Sequence, residues 1–296
     1  MFIFPASGRR SPFSLFMMKL CIVGVGLIGS SFALGLRQRT PLNVLGVDRS
    51  ADNLSSAQAL GAIDRSVSLE EGVAEADVIV LAIPVNHIVD TIASCLSQMR
   101  ADAVLVDMGS TKEAIVAQVR SHPRRGRYVA AHPIAGREKS GPTAARADLM
   151  VGKPMIVCDP DDSDEDARQT ALTLFQTLEM KVSFADAAAH DLRLAYTSHL
   201  PHLLAFALSN TILNEAQRTE MVDSAGGGLK SVIRLALHSA DMWTPIFEQN
   251  QGPLIEATDK LIAQLSEIRN TLEASSTEAV YRWVARANDI EKLLSK

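Results

Sequence analysis

The sequence predicts an α/β Rossmann-type doubly wound parallel sheet followed by an all-α C-terminal domain. Three observations carry this expectation. Short apolar runs alternate with helix-period segments from Lys19 to Asp186. A glycine-rich turn, Gly24-Val25-Gly26-Leu27-Ile28-Gly29, follows the first run. Beyond Asp186 the strand-like runs cease and helical periodicity takes over.

Seven runs read as strands: KLCIVGV (19–25), LNVLGVD (42–48), DVIVLAIP (77–84), AVLVDMG (103–109), RYVAAHP (127–133), MIVCD (155–159) and KVSFAD (181–186). Such unbroken apolar runs suit strands buried on both faces of a parallel sheet covered by helices. The segments between them, such as GSSFALGLRQR and TKEAIVAQVRSH, carry helical periodicity. Residues 187–217 and 254–275 read as long helices. The expected organisation is an extension over 1–16, disordered or not native, ahead of a start at Met17 or Met18. An NAD-binding domain over 17–186 and a helical substrate and dimerisation domain over 187–296 follow, with a homodimer expected through the latter. The acidic run DPDDSDED (159–166) is expected to be a solvated loop and helix N-terminus, where acids are favourable.

Apolar residues make up 47% of the 296 and charged residues 21%, ordinary for a globular protein. The net charge of −5 lends no support to nucleic-acid binding, which asks for a basic face. No run of eighteen apolar residues offers a membrane span. Cys21, Cys95 and Cys158 are an odd, widely spaced set without metal-like spacing, expected to be reduced and buried in a cytoplasmic protein.

The glycine turn stands where a dinucleotide site requires it. Gly24 permits the tight turn, Gly26 lets backbone approach a pyrophosphate, and Gly29 allows close helix–strand packing. The amides that open the helix, around Leu27 and Ile28, face the phosphates. Asp48 ends the second run, where a carboxylate binds ribose hydroxyls and repels the extra phosphate of NADP. NAD is the expected cofactor, although Arg49 beside it blurs that preference. Pro84, ending the third run, is expected to shape the wall near the nicotinamide.

Ligands of open α/β sheets lie beyond the carboxyl ends of the strands. Ser110 follows the fourth run and His132 ends the fifth, so a hydroxyl and an imidazole can flank one reacting alcohol. Histidine suits a base at neutral pH. His199 and His202, in YTSHLPHLLAFAL, share a helix face that Pro201 should disturb. They read as pocket residues or as core histidines, and no third ligand nearby supports a metal. After a triple glycine, Lys230, Arg234 and His238 form a basic stripe at helical spacing, with Trp243 beyond as an aromatic wall. A solvated face is the plainer reading of such a stripe. Arg234 is the cation suited to hold a carboxylate bidentately.

The segments VGVGLIGSS, VDMGSTK, HPIAGREKSG and SHLPHLLAFAL, with the Arg234–Trp243 spacing, resemble the prephenate/arogenate dehydrogenase family from about Lys19 to Glu248. The resemblance implies NAD-dependent oxidative decarboxylation of prephenate to 4-hydroxyphenylpyruvate in tyrosine biosynthesis, with arogenate as the alternative substrate. It implies that His132 assists deprotonation of the ring hydroxyl and that Ser110 positions this histidine and the substrate. Arg234 would bind a substrate carboxylate, and His199, His202, Glu138 and Trp243 would line or gate the pocket. Arg137 and Ser231 depart from the residues usual in relatives. The chain is also expected to lack an appended tyrosine-sensing domain, so that feedback control acts at the active site or through another protein. A β-hydroxyacid dehydrogenase and a non-catalytic NAD-binding protein are the rival readings. The former usually has an asparagine one turn after its helical lysine, where this chain has Arg234.

Overall fold

The computed structural model describes residues 18–137 and 139–294. The expected extension over 1–16 and the candidate Glu138 lie outside the described residues.

The strands are β1 (Lys19–Val23), β2 (Asn43–Val47), β3 (Arg65–Ser66), β4 (Val78–Leu81), β5 (Val104–Asp107), β6 (Tyr128–Pro133), β7 (Pro154–Cys158) and β8 (Lys181–Ala185). They form one sheet in the order β3-β2-β1-β4-β5-β6-β7-β8. The order reverses between β1 and β4, and the carboxyl ends at such a switch point frame the ligand crevice of a doubly wound sheet. The helices over this half are α1 (Leu27–Arg37), α2 (Ala51–Ala59), α3 (Leu69–Glu75), α4 (Val85–Gln98), α5 (Glu113–Val119) and α6 (Glu165–Thr177).

Alternation of side chains explains the unbroken apolar runs. Leu20, Ile22, Val78, Val80, Val104 and Val106 join Phe32 and Phe175 in one core. Cys21, Ile79, Leu81 and Leu105 join Ile88, Ile92 and Ile115 in the other. Both faces are therefore covered, as period-two geometry in a central strand demands. All three cysteines are buried and unpaired, and burial pushes each thiol up to about 12.

Three features depart from the expected sheet. Strand β3 has only two residues, both exposed, so no apolar signal marks it. Strand β7 runs antiparallel to β6. Among the described residues between them, the regular element is a 3₁₀ turn at Pro142–Ala144, and without a crossover helix the chain returns in the opposite direction. Strand β8, an edge strand, is largely exposed, with Phe184 54% accessible.

Among the described residues, the only regular elements that follow β8 are helices and helical turns: α7 (Ala187–Leu194), α8 (Leu200–Leu213), α9 (Arg218–Asp223), α10 (Gly227–Ile233), α11 (Ala240–Gln249), α12 (Gln251–Glu273), α13 (Thr277–Ala287) and α14 (Glu291–Leu294). A π-helical turn, Ala195–His199, joins α7 to α8 just ahead of Pro201. Pi turns of this kind recur at functional sites. The helical part docks on the sheet through Trp243 and Ile246, which enter the second core. The expected stripe of Lys230, Arg234 and His238 is not one helix. Helix α10 ends at Ile233, Arg234–Leu237 is a 3₁₀ turn, and His238 is extended. The His238 ring bonds the Leu235 carbonyl at 2.9 Å, satisfying an acceptor at the helix end before α11 begins.

Candidate active site

Gly24 has φ +94°, and a methyl there would fall 2.4 Å from the Ala82 carbonyl oxygen. At Gly29 a methyl would meet the Gly24 carbonyl oxygen at 2.1 Å. At Gly26 it would meet nothing within 4 Å. The turn is closed where it packs and open at Gly26, and no side chain caps the first turn of α1, which begins with Leu27 and Ile28. That open, amide-rich face fits a pyrophosphate. Asp48 accepts the Val25 amide at 3.1 Å through one oxygen. The other oxygen accepts the Ser50 amide at 2.9 Å and the Asn53 side chain at 3.3 Å. Its carboxylate thus ties the glycine turn to β2. Arg49 is exposed beside it, and Pro84 caps α4 at the end of β4.

His132, 9% accessible, lies on β6. Its Nδ1 is 2.8 Å from His190 Nε2, and His190 Nδ1 is 2.7 Å from Asp191 Oδ1. Asp191 in turn accepts the Lys112 amide at 2.8 Å and the Glu113 amide at 2.9 Å, an anion set on the N-terminus of α5. Asp191 thereby supplies from α7 the cap that Lys112, itself at the N-cap position, does not provide with its side chain. Burial first, then His190, Lys112 and His199, hold the His132 imidazole well below its usual pKa, so it is neutral at neutral pH.

Ser110 stands half-buried after β5. Among the described residues, however, the hydrogen-bond partner of His132 is His190 and not Ser110. The reason is tertiary: α7 brings an imidazole against β6 from the helical half. Behind His132, Asp107 and Lys112 are completely buried as an ion pair. Lys112 Nζ also donates to the Ala131 carbonyl at 2.9 Å, while Asp107 accepts the Tyr128 hydroxyl at 2.7 Å and the Ala131 amide at 3.3 Å. Ala131, the residue preceding His132, is thus held at both its amide and its carbonyl.

The helical residues adjoin this set. Asn250 Nδ2 donates to the Asp191 carbonyl and to His199 Nδ1, each at 2.8 Å. The His199 ring meets Trp243 edge-on at 5.9 Å, and His202 stacks on Trp243 at 3.7 Å. Burial takes His199 down to about 4. Burial lowers His202 as well, opposed by its hydrogen bond to the Ser198 carbonyl and reinforced by His238 and Arg234. Arg234, exposed on its 3₁₀ turn, therefore stands close enough for its charge to reach His202. Exposed Arg137 donates to the Ala144 carbonyl at 3.2 Å. The structure brings His132, His199, His202, Trp243 and Arg234 into one connected region. It adds His190, Asp191, Asn250, Lys112 and Asp107, which sequence reading did not single out.

A dinucleotide-type glycine turn at a sheet switch point and a buried neutral imidazole on a strand of the same sheet, under a helical cover, are the parts of a nucleotide-dependent oxidoreductase. The family follows from comparison with known proteins. Residues 32–184 match the prephenate dehydrogenase nucleotide-binding domain and residues 186–286 the prephenate dehydrogenase dimerization domain. The chain belongs to the prephenate dehydrogenase family. A prephenate dehydrogenase of Lactococcus lactis subsp. cremoris is 30% identical over 284 residues, 94% of this chain and 78% of its own length. A cyclohexadienyl dehydrogenase of Zymomonas mobilis is 28% identical, covering 86% of this chain and 88% of its own. The structure of prephenate dehydrogenase from A. aeolicus, in complex with hydroxyphenyl propionate and NAD+, superposes with a TM-score of 0.85 at 27% identity. That match covers 96% of this chain and 100% of the other.

Proposed function

We propose that the protein is an NAD-dependent prephenate dehydrogenase of L-tyrosine biosynthesis, with residues 17–186 as its cofactor domain and 187–296 as its substrate and dimerisation domain. The observation that carries this reading is His132, buried and neutral on β6 with its Nδ1 engaged by His190, which leaves Nε2 for a substrate.

Prephenate is a cyclohexadienol with a ring carboxylate and a pyruvyl carboxylate. His132 Nε2 accepts the hydroxyl proton as hydride leaves the same carbon. When bound, NAD supplies the hydride acceptor. The bond to the ring carboxylate then breaks, carbon dioxide departs, and the electron pair completes the aromatic ring. The ring oxygen takes the proton back from His132 as a phenol. Arg234 binds a substrate carboxylate through its planar fork, Ser110 contacts the reacting hydroxyl, and His202 on Trp243 forms the wall with His199. Glu138 is assigned, from the resemblance alone, to lining or gating the pocket. Gly24, Gly26, Leu27, Ile28 and Gly29 hold the pyrophosphate, Asp48 and Arg49 border the ribose, and Pro84 borders the nicotinamide. General-base help of this kind is worth roughly 10²–10⁴-fold.

The functional unit in this reading is a homodimer formed through the helical half. Supporting this, α12 exposes Ile255, Ile262, Leu265 and Leu272, and α13 exposes Tyr281 and Val284. Sedimentation is expected to give twice the chain mass of 31.9 kDa. None of the described helices is long and apolar enough to cross a membrane. Its reduced thiols suit a cytoplasmic location.

The deciding experiment is reduced-cofactor formation by the purified protein with prephenate and arogenate as parallel substrates and NAD and NADP as parallel cofactors. Prephenate with NAD is expected to dominate. Preference for arogenate would move the substrate assignment, and silence with all four pairs despite NAD binding would sink the enzymatic reading.

A further inference from the structure

The His132–His190–Asp191 chain decides which nitrogen of His132 carries its proton. Asp191 is a carboxylate whose two oxygens already accept the Lys112 and Glu113 amides. An ionised carboxylate only accepts hydrogen bonds, so His190 Nδ1, 2.7 Å away, is the protonated nitrogen of that ring. With His190 taken as the neutral imidazole, its one N–H is the one on Nδ1, and Nε2 is an acceptor. His132 Nδ1, 2.8 Å from it, must then donate. His132 is left with a bare lone pair on Nε2.

We propose that His190 and Asp191 are positioning residues that lock His132 as its Nδ1–H tautomer, so that Nε2 is the base for the substrate hydroxyl. The inference rests on the assignment of His132 as the base. Its physical basis is that a base in the wrong tautomer presents an N–H to a hydroxyl it should deprotonate. In serine-protease triads, loss of the orienting carboxylate's tautomer control costs about 10⁴-fold. Both positioning groups are buried, His190 completely and Asp191 to 1% accessibility, so no bulk water competes for the chain of bonds.

Asp191 is itself fixed from three sides. Two amides at the start of α5 hold its carboxylate, and Asn250 Nδ2 holds its carbonyl at 2.8 Å. Lys112, whose amide is one of those donors, also bonds the Ala131 carbonyl at 2.9 Å just ahead of His132. One residue therefore sets both ends of the relay. When Nε2 takes up the substrate proton, the positive charge on His132 faces an uninterrupted hydrogen-bond path to the Asp191 anion. Among the described residues, His199 and the buried Lys112–Asp107 pair also lie near His132.

The test uses the full-length protein labelled with ¹⁵N-histidine, with the His132 signals assigned by their absence in His132→Asn. In the resting enzyme, Nδ1 is expected to give the protonated shift and Nε2 the unprotonated one. His190→Phe keeps the ring volume but removes the acceptor, and is expected to lower kcat about 10²-fold while leaving KM for prephenate nearly unchanged. His190→Gln restores an acceptor oxygen near the lost nitrogen and should recover about tenfold of that loss. If His190→Phe fails to fold, the wild-type spectrum and His190→Gln decide. A proton on His132 Nε2 in the wild type, or unchanged kcat in a folded His190→Phe, overturns the proposal. Retained turnover in His132→Asn would instead overturn the base assignment, whatever the spectrum shows.

Discussion

Lys112 and Asp107 form an ion pair in which neither side chain is exposed to solvent. The pair is fully furnished: Asp107 also accepts the Gly109 amide and the Tyr128 hydroxyl, and Lys112 donates to Ala131. Removing one member leaves an uncompensated buried charge. Lys112→Met is therefore expected to cost about 3–5 kcal/mol, read as a lower urea midpoint. Turnover should fall as well, because Ala131 is released beside His132.

Acid should weaken the fold in a defined window. Burial lowers His199 from the usual 6.5 to about 4 and holds His132 well below its ordinary range. For both, the unfolded chain binds a proton before the folded one. Stability is thus full above about pH 6.5 and declines as pH falls toward the folded-state values. Each histidine contributes a slope of about 1.4 kcal/mol per pH unit inside its window. The urea midpoint should be flat from pH 7 to 8 and fall between pH 6.5 and 4. His199→Asn, which keeps an oxygen for the Asn250 side chain, should shallow that fall. A midpoint unchanged between pH 6.5 and 4 would contradict the assignment.

The strands were legible because two-sided burial writes them as unbroken apolar runs. Strand β3 was not, since Arg65 and Ser66 pair through backbone with Leu45 and Gly46 while their side chains face water. The direction of β7 was hidden for a different reason: an apolar run has no arrow. The available signal was the lack of helical periodicity over 134–153, since the crossover between parallel strands is usually a helix. KVSFAD read as a buried strand because edge position is a property of the sheet and not of the run. In the site, His132 announced itself by standing at a strand end, whereas His190 sits in AAAHDLRL, indistinguishable from an ordinary helix start. The notable signal there was His next to Asp, whose meaning depends on α5 and β6 arriving from far away in sequence. Ser110 drew attention in VDMGSTK, and the neighbouring Asp107 and Lys112, which hold the His132 peptide, did not.

Arg234 lies on a 3₁₀ turn rather than mid-helix, with its charge felt by His202. A guanidinium grips a carboxylate with two parallel bonds, and an ammonium is a point charge. Losing charge-assisted bonds of about 1.5–3 kcal/mol corresponds to roughly 10–10²-fold in binding. Arg234→Ala should raise KM for prephenate by that factor with a smaller change in kcat, and Arg234→Lys should recover part of it. A fall in kcat alone, with KM constant, would remove Arg234 from substrate binding.

Gly26 and Gly29 lie three residues apart in one turn, yet alanine should act on them through different quantities. At Gly29 a methyl would overlap the Gly24 carbonyl oxygen at 2.1 Å and crowd Ile22 at 2.7 Å, so the helix must move away from β1. Gly29→Ala is expected to lose stability on the scale of core overpacking, about 1–3 kcal/mol, and to lose NAD binding with it. At Gly26 the space is empty and φ is −70°, which alanine adopts freely. Gly26→Ala should leave the thermal midpoint within the change expected of an ordinary surface substitution, about ±0.5 kcal/mol. The methyl would nonetheless occupy the face on which the pyrophosphate is proposed to lie, so NAD affinity should drop. Titration of NAD by calorimetry, run beside thermal melts of both variants, separates the two effects. Full NAD affinity in a stable Gly26→Ala would move the pyrophosphate off this turn.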